Sequence, residues 1–259
     1  MKKCNARSGC PRIPRQINRD FGLTLDKDTF PPVLVVHYKP DPSDLCLLKI
    51  MKRVLYAYGE RQEITVMSDT IYKSSKLVFQ HNLKNLSAIL KQASRDARER
   101  NIDPAVLLHA RLAPDMHPLV RQIQMATDQA KGCCSRLADV EIPVFPDEES
   151  TVAELEDRLK RTLSYLRGLK ASQFVGSGDR KILMKLPVGT LSFNGLDYLN
   201  GFALPNFYFH YTTAYNILRH NGVGLGKMDF LGAVPGMETT GKIAKMMAAK
   251  SKKKTRKKT

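Results

Sequence analysis

The sequence has no run of about 18 or more apolar residues, so it offers no candidate transmembrane helix and no membrane partner. Its first residues, Met1-Lys-Lys-Cys-Asn-Ala-Arg7, are basic, but no apolar core follows them, which argues against a secretory signal. Cysteine is scarce: Cys4 and Cys10 lie in a Pro/Arg-rich arm, Cys46 stands alone, and Cys133 and Cys134 are adjacent. None has CxxC spacing, so neither a disulfide framework nor a structural zinc site is expected, and the usage fits a reducing, cytoplasmic compartment. The adjacent pair is expected to pack inside a helix as small hydrophobes. Phosphate loops are also missing, because Gly222-Val-Gly-Leu-Gly226 follows a helical pattern rather than a strand. No Ser/His/Asp or Cys/His constellation has local support. No short basic recognition helix follows a tight turn, which disfavours a helix-turn-helix reader. No reaction is legible, and whether the chain is an enzyme stays open.

What is present begins with charge. The formal net charge is +17, but it is unevenly spread. Residues 1–66 hold 12 Lys/Arg and 7 Asp/Glu, residues 67–232 hold 21 and 17, and residues 233–259 hold 9 and 1. The middle is nearly balanced, and much of the excess sits in Lys250-Ser-Lys-Lys-Lys-Thr-Arg-Lys-Lys258. A Lys run of this kind cannot pack and is expected to be a solvated, disordered tail. It could also act as a nuclear-import tag or a weak polyanion-binding segment.

Residues 1–66 are rich in turn chemistry, with Pro11, Pro14, Pro31-Pro32, Pro40 and Pro42. Their one strand-like run is Val33-Leu-Val-Val36, and a short apolar stretch covers Leu45–Leu55. That is too little apolar surface to offset the entropy of ordering the segment, so poor order is expected. Met67-Ser-Asp-Thr70 has the look of a fresh start, which would make the first 66 residues an upstream extension.

From Met67 a helical period sets in. Ile71, Ser75, Val78, Phe79, Leu86, Ile89 and Leu90 form one stripe. Ile102-Asp103-Pro104 reads as a cap followed by Pro at the first helical position, opening a short helix through Ala110. A second long helix is expected from near Pro114-Asp115, with Asp115 as its cap, carrying Met116, Leu119, Ile123, Ala126, Ala130, Cys134 and Leu137. Ser150 or Thr151 is expected to cap a third helix, with Glu154 three residues after Thr151 in capping-box position and a stripe of Val152, Leu155, Leu159, Leu163 and Leu166. Lys181–Leu186 and Thr190–Phe193 suggest a small hairpin. A fourth helix is expected from about Leu196 to Arg219, stopping at Asn221-Gly222. Four long amphipathic helices with a hairpin between the third and fourth predict an all-α four-helix bundle at 67–232, between an N-terminal extension at 1–66 and a basic tail at 233–259.

The motifs Asn85-Leu-Ser-Ala-Ile-Leu90, Ala110-Arg-Leu-Ala-Pro-Asp-Met116 with Arg121-Gln-Ile-Gln124, and Leu204-Pro-Asn-Phe-Tyr-Phe-His210 with Leu218-Arg-His-Asn-Gly222 resemble a domain-of-unknown-function family in the DinB/YfiT-like metalloenzyme superfamily. The resemblance covers about residues 67–232. It implies a DinB-like bundle of up-down-down-up type, often a homodimer. In better-characterised relatives it implies a divalent metal held by three histidines of the second and fourth helices.

At those positions this sequence departs from the pattern. The last-helix pair is Asn206 and His210, on one helical face. On the second helix the nearest match is Gln124, with Asp128 one turn on. His210, Asn206, Gln124 and Asp128 are therefore the candidate metal ligands, with a divalent metal of unspecified identity as the implied cofactor. Amide donors suit a hard cation better than a transition metal. The competing expectations are a closed polar network in the core and a metal-free pocket for a small-molecule ligand. His117 is placed near the start of the second helix, and His81, His109 and His220 at the surface. Three functions follow: a DinB-like bundle keeping a weak metal or small-molecule site in its core, a non-catalytic structural or dimerisation module, or a nucleic-acid-associated protein acting through the basic tail.

Overall fold

The computed structural model describes residues 22–26, 33–37 and 69–244. The chain divides into two compact units, Met1–Glu60 and Arg61–Thr259. In the first, β1 (Gly22–Asp26) pairs antiparallel with β2 (Val33–His37), Leu23 opposite Val36 and Leu25 opposite Leu34. The expected strand at Val33–Val36 is thus present. Its partner, where only Leu23 and Leu25 alternate, is too short for a periodic signal. The expectation of poor order in residues 1–66, and the Lys-rich run from Lys250, lie outside the described residues.

The second unit holds four long helices: α1 (residues 69–99), α3 (Leu119–Ala138), α4 (Val152–Gly168) and α5 (residues 195–220). Between them come α2 (Pro104–His109) and a hairpin of β3 (Lys181–Leu186) and β4 (Gly189–Asn194), and α5 is followed by α6 (Lys227–Leu231). In the ring of four, α3 packs on α4 and α5, and α1 packs on the same two from the other side. Helices α1 and α3 thus sit across the bundle from each other, and α2 bridges them. No described helix is long and apolar enough to cross a membrane.

Local chemistry sets the ends of these elements. Asp103 caps α2, its carboxylate accepting from the Ala105 amide at 2.9 Å, with Pro104 in the first turn where its missing N–H costs nothing. Thr151 and Glu154 close a reciprocal capping box on α4. Helix α5 ends at Asn221, followed by Gly222 with φ +85°, a conformation that favours glycine. The expected start of α3 near Pro114-Asp115 is corrected: the helix begins at Leu119, and Asp115 lies in a turn. Pro118 disfavours helical geometry at the residue before it, so the helix cannot run through His117.

The core is the meeting of four stripes. Leu83, Leu86, Ile89 and Leu90 come from α1, and Leu155, Leu159, Leu163 and Leu166 from α4. Phe207, Tyr211, Ala214, Ile217 and Leu218 come from α5, against a row of small residues on α3, Ala126, Ala130, Cys133 and Cys134. Small side chains let neighbouring helices approach closely, and both thiols are fully buried. Burial pushes both thiols well up from their ordinary value, so they stay protonated.

Two stretches of π-helix interrupt the long helices, Lys73–Leu77 in α1 and Tyr198–Ala203 in α5. The first turns Lys76 inward. Its ammonium donates to the Leu169 carbonyl at 2.6 Å, supplying a donor and a cation where the C-terminal end of α4 leaves carbonyls unpaired.

Candidate functional site

The segment Arg121-Gln122-Ile123-Gln124 runs from the first into the second turn of α3. Successive helical residues are about 100° apart, so Gln122 and Gln124 point to nearly opposite sides of the helix. The bundle uses both sides: Gln122 faces α5 and Gln124 faces the segment leading into α4. Both are buried.

On the α5 side, Gln122 meets His210. The Gln122 Nε2 donates to the backbone carbonyl of His117 at 3.0 Å, which fixes the orientation of the amide. Its Oε1 therefore faces His210 Nδ1, 2.8 Å away. An amide oxygen only accepts, so Nδ1 must carry the proton and donate, and Nε2 must hold the lone pair. Among the described residues Nε2 makes no hydrogen bond. Burial first, then the neighbouring His117 and Arg121, push the His210 pKa below its ordinary 6.5, so the imidazole is neutral at pH 7. Phe209, exposed, sets its ring edge-on to the imidazole at 5.3 Å. Asn206 lies one turn earlier and is half-buried. Its amide nitrogen donates to the Phe202 carbonyl at 2.7 Å, which leaves Oδ1 as its remaining polar atom.

On the other side, Gln124 and Asp128 join a charge cluster centred on Arg158 of α4, whose side chain is 0% exposed. Arg158 Nε donates to Thr127 Oγ1 at 2.8 Å. Its Nη1 donates to the Pro146 carbonyl at 2.9 Å and to Glu149 at 3.1 and 3.2 Å. Its Nη2 pairs with Asp128 at 2.8 Å and Asp147 at 2.9 Å. Around this node Lys131 pairs with Asp128 at 2.6 Å, Arg121 pairs with Asp147, and Gln124 Nε2 donates to Glu149 at 2.9 Å. The cluster pins Pro146, Asp147 and Glu149, in the segment between α3 and α4, against the bundle. Arg158 was readable in outline, since it stands on the apolar face of α4 between Leu155 and Leu159, where an unpaired cation would be costly. Its three carboxylate partners lie on α3 and an irregular segment, so no spacing in the sequence connects them to it.

The four candidate ligands therefore fall into two groups. His210 and Asn206 remain on α5, while Gln124 and Asp128 are engaged by Arg121, Glu149, Lys131 and Arg158. The side chain that α3 brings to His210 is Gln122. The donor set at His210 is one imidazole with two amides, which does not fit a centre built on three imidazoles. Among the described residues no three His, Cys, Asp or Glu side chains are grouped so as to hold a metal. His81 is also placed differently from expectation. It is half-buried, its Nε2 2.7 Å from the Leu231 carbonyl, where α6 docks on α1. His109 and His220 are exposed as expected.

Residues 71–231 match a family described as a domain of unknown function (DUF1993). The crystal structure of a DinB family member protein from Shewanella denitrificans is similar at 38% identity and a TM-score of 0.63, over 68% of this chain and 99% of that one. No curated protein matches the chain.

Proposed function

The chain belongs to the DUF1993 family of unknown function, with a DinB-like helical fold, and from that premise we propose that its bundle keeps a small-molecule site centred on the neutral imidazole of His210. The observation that supports this reading is the Gln122–His210 hydrogen bond. It fixes the tautomer and leaves a basic nitrogen, Nε2, with no partner among the described residues. A neutral imidazole held in this way accepts a hydrogen bond, or a proton from a weakly acidic ligand group. Gln122 is a positioning residue for it, and Asn206 Oδ1 on the same face supplies a second acceptor. The Arg121 guanidinium adds positive potential that favours negative charge developing on the ligand.

Acylation by diethyl pyrocarbonate tests the accessibility of Nε2. Mass spectrometry should find His210 modified, more slowly than His109 and His220. An unmodified His210, when those two have reacted fully, would refute the site and leave a sealed core hydrogen bond. Metal analysis beside the His210→Ala variant, after incubation with zinc, nickel or manganese, tests the inherited chemistry. The expected result is no stoichiometric metal in either protein. Stoichiometric metal in the wild type that is lost in His210→Ala would replace this reading with a metal centre.

A further inference from the structure

The charge cluster around Arg158 does not balance. It contains three carboxylates, Asp128, Asp147 and Glu149, and four cations, Arg121, Lys131, Arg158 and Arg161. Each carboxylate has a cation closer than Arg161. Asp128 is taken by Lys131 and Arg158, Asp147 by Arg121 and Arg158, and Glu149 by Arg158 at 3.1 Å. Arg161 reaches only Glu149, at 3.5 Å, and its side chain is 51% exposed. It is the cation left over.

That cation lies at the edge of a cleft. The segment 140–145 and the outer face of α4 border an open, shallow cleft of about 710 Å³, lined by Val140, Glu141, Phe145, Arg161, Ser164 and Tyr165 among others. None of the side chains lining it belongs to the His210 group. The walls are mainly apolar. Phe145 forms one side, with the Lys131 ammonium 4.7 Å and the Arg161 guanidinium 4.9 Å from its ring centroid. The Tyr165 hydroxyl is already bonded to Ser135 at 2.7 Å, so the polar groups left to a ligand are the exposed Ser164 hydroxyl and the guanidinium, held by Glu149 only at 3.5 Å. Glu141, exposed at the rim, is the one acidic side chain lining it.

We propose that this cleft binds a small organic anion, a carboxylate on a planar apolar body, with the carboxylate on Arg161 and the body against Phe145 and Leu169. A guanidinium fork matches a carboxylate in two parallel hydrogen bonds, which a lone point charge cannot do. The apolar walls, with Phe145 and Leu169 among them, take the body of the ligand out of water. The unmatched positive charge selects an anion over the isosteric neutral compound. Glu141 opposes it and sets an upper limit on affinity.

The test uses the full chain with naphthalene-2-carboxylate as probe and 2-naphthalenemethanol as its neutral match, followed by NMR shifts of the Phe145 and Tyr165 rings. The carboxylate should shift both rings saturably at low salt and bind at least about tenfold more tightly than the alcohol. That factor is what one well-made charge-assisted contact supplies. Arg161→Gln should abolish the preference, leaving acid and alcohol equally weak. Because its side chain is half-exposed, this variant should keep the wild-type fold. Glu141→Gln provides an independent check and should tighten the acid without changing the alcohol. The proposal is overturned by equal affinities in the wild type, by acid binding that survives Arg161→Gln, by loss of both preference and tightening in Glu141→Gln, or by no saturable shift at these rings. None of these outcomes bears on His210, whose acylation is read separately.

Discussion

Arg158→Met is a perturbation that the bundle should feel sharply, and its size can be worked out partner by partner. Asp128 and Asp147 are 37% and 35% exposed and keep Lys131 and Arg121, so water and a remaining cation take over from Arg158. Glu149 differs. It is 5% exposed and would keep only the Gln124 amide and Arg161 at 3.5 Å. The Pro146 carbonyl and the Thr127 hydroxyl also lose their donor. Removing one partner of a buried ion pair costs about 3–5 kcal/mol. With two of the three carboxylates still compensated, the low end applies, about 3 kcal/mol. In a domain of this size that lowers Tm by roughly 6–12 °C. Equilibrium unfolding in urea, followed by circular dichroism, measures it. If the stranded Glu149 charge is the main cost, adding Glu149→Gln to Arg158→Met should recover about 1–2 kcal/mol. The reasoning fails if Arg158→Met lies within about 1 kcal/mol of wild type, or if the double variant is less stable than the single one.

Two further predictions follow from close contacts and titration. A Cβ on Gly195 would lie 1.8 Å from the Ser177 carbonyl oxygen, and backbone cannot swing aside. Gly195→Ala should therefore cost about 3 kcal/mol or more, at the top of the overpacking range, while Gly201→Ala, with nothing within 4 Å, should be neutral or stabilising; equal melting shifts would contradict this. Because the folded-state pKa of His210 lies below its ordinary 6.5, its neutral form is the stabilised one. Its contribution is fully present above pH 6.5 and is lost as pH falls through the folded value, since the unfolded chain binds the extra proton first. Stability measured against pH should decline less steeply below that point in His210→Leu than in the wild type. Parallel curves would refute the assignment.

The fold was largely legible because the information it needs is local. The stripes of α1, α3 and α4, the Asp103-Pro104 start, the Thr151/Glu154 box and the Asn221-Gly222 stop each depend on residues within a turn or two of one another. The misplaced start of α3 shows where such reading slips. Asp115 has the chemistry of a cap, but Pro118 acts on its predecessor and moves the true start to Leu119. The α1 and α5 periods were also legible, while their π-helical stretches were not. One extra residue in a turn rotates everything before it, and no residue type marks the insertion.

The site divides along the same line. By itself the sequence determined that His210 and Asn206 share a face of the last helix, because spacing on one helix is a local property. It could not decide which glutamine of Gln122-Ile-Gln124 meets His210. The two lie nearly opposite each other on α3, and only the packing of α3 between α4 and α5 assigns each side a neighbour. It likewise could not assemble Arg158 with Asp128, Asp147 and Glu149, or show that Arg161 shares Glu149 with Arg158 at the longer distance of 3.5 Å. Charge pairing in a folded chain is settled by distances between elements that are far apart in sequence, and those distances exist only once the bundle has closed.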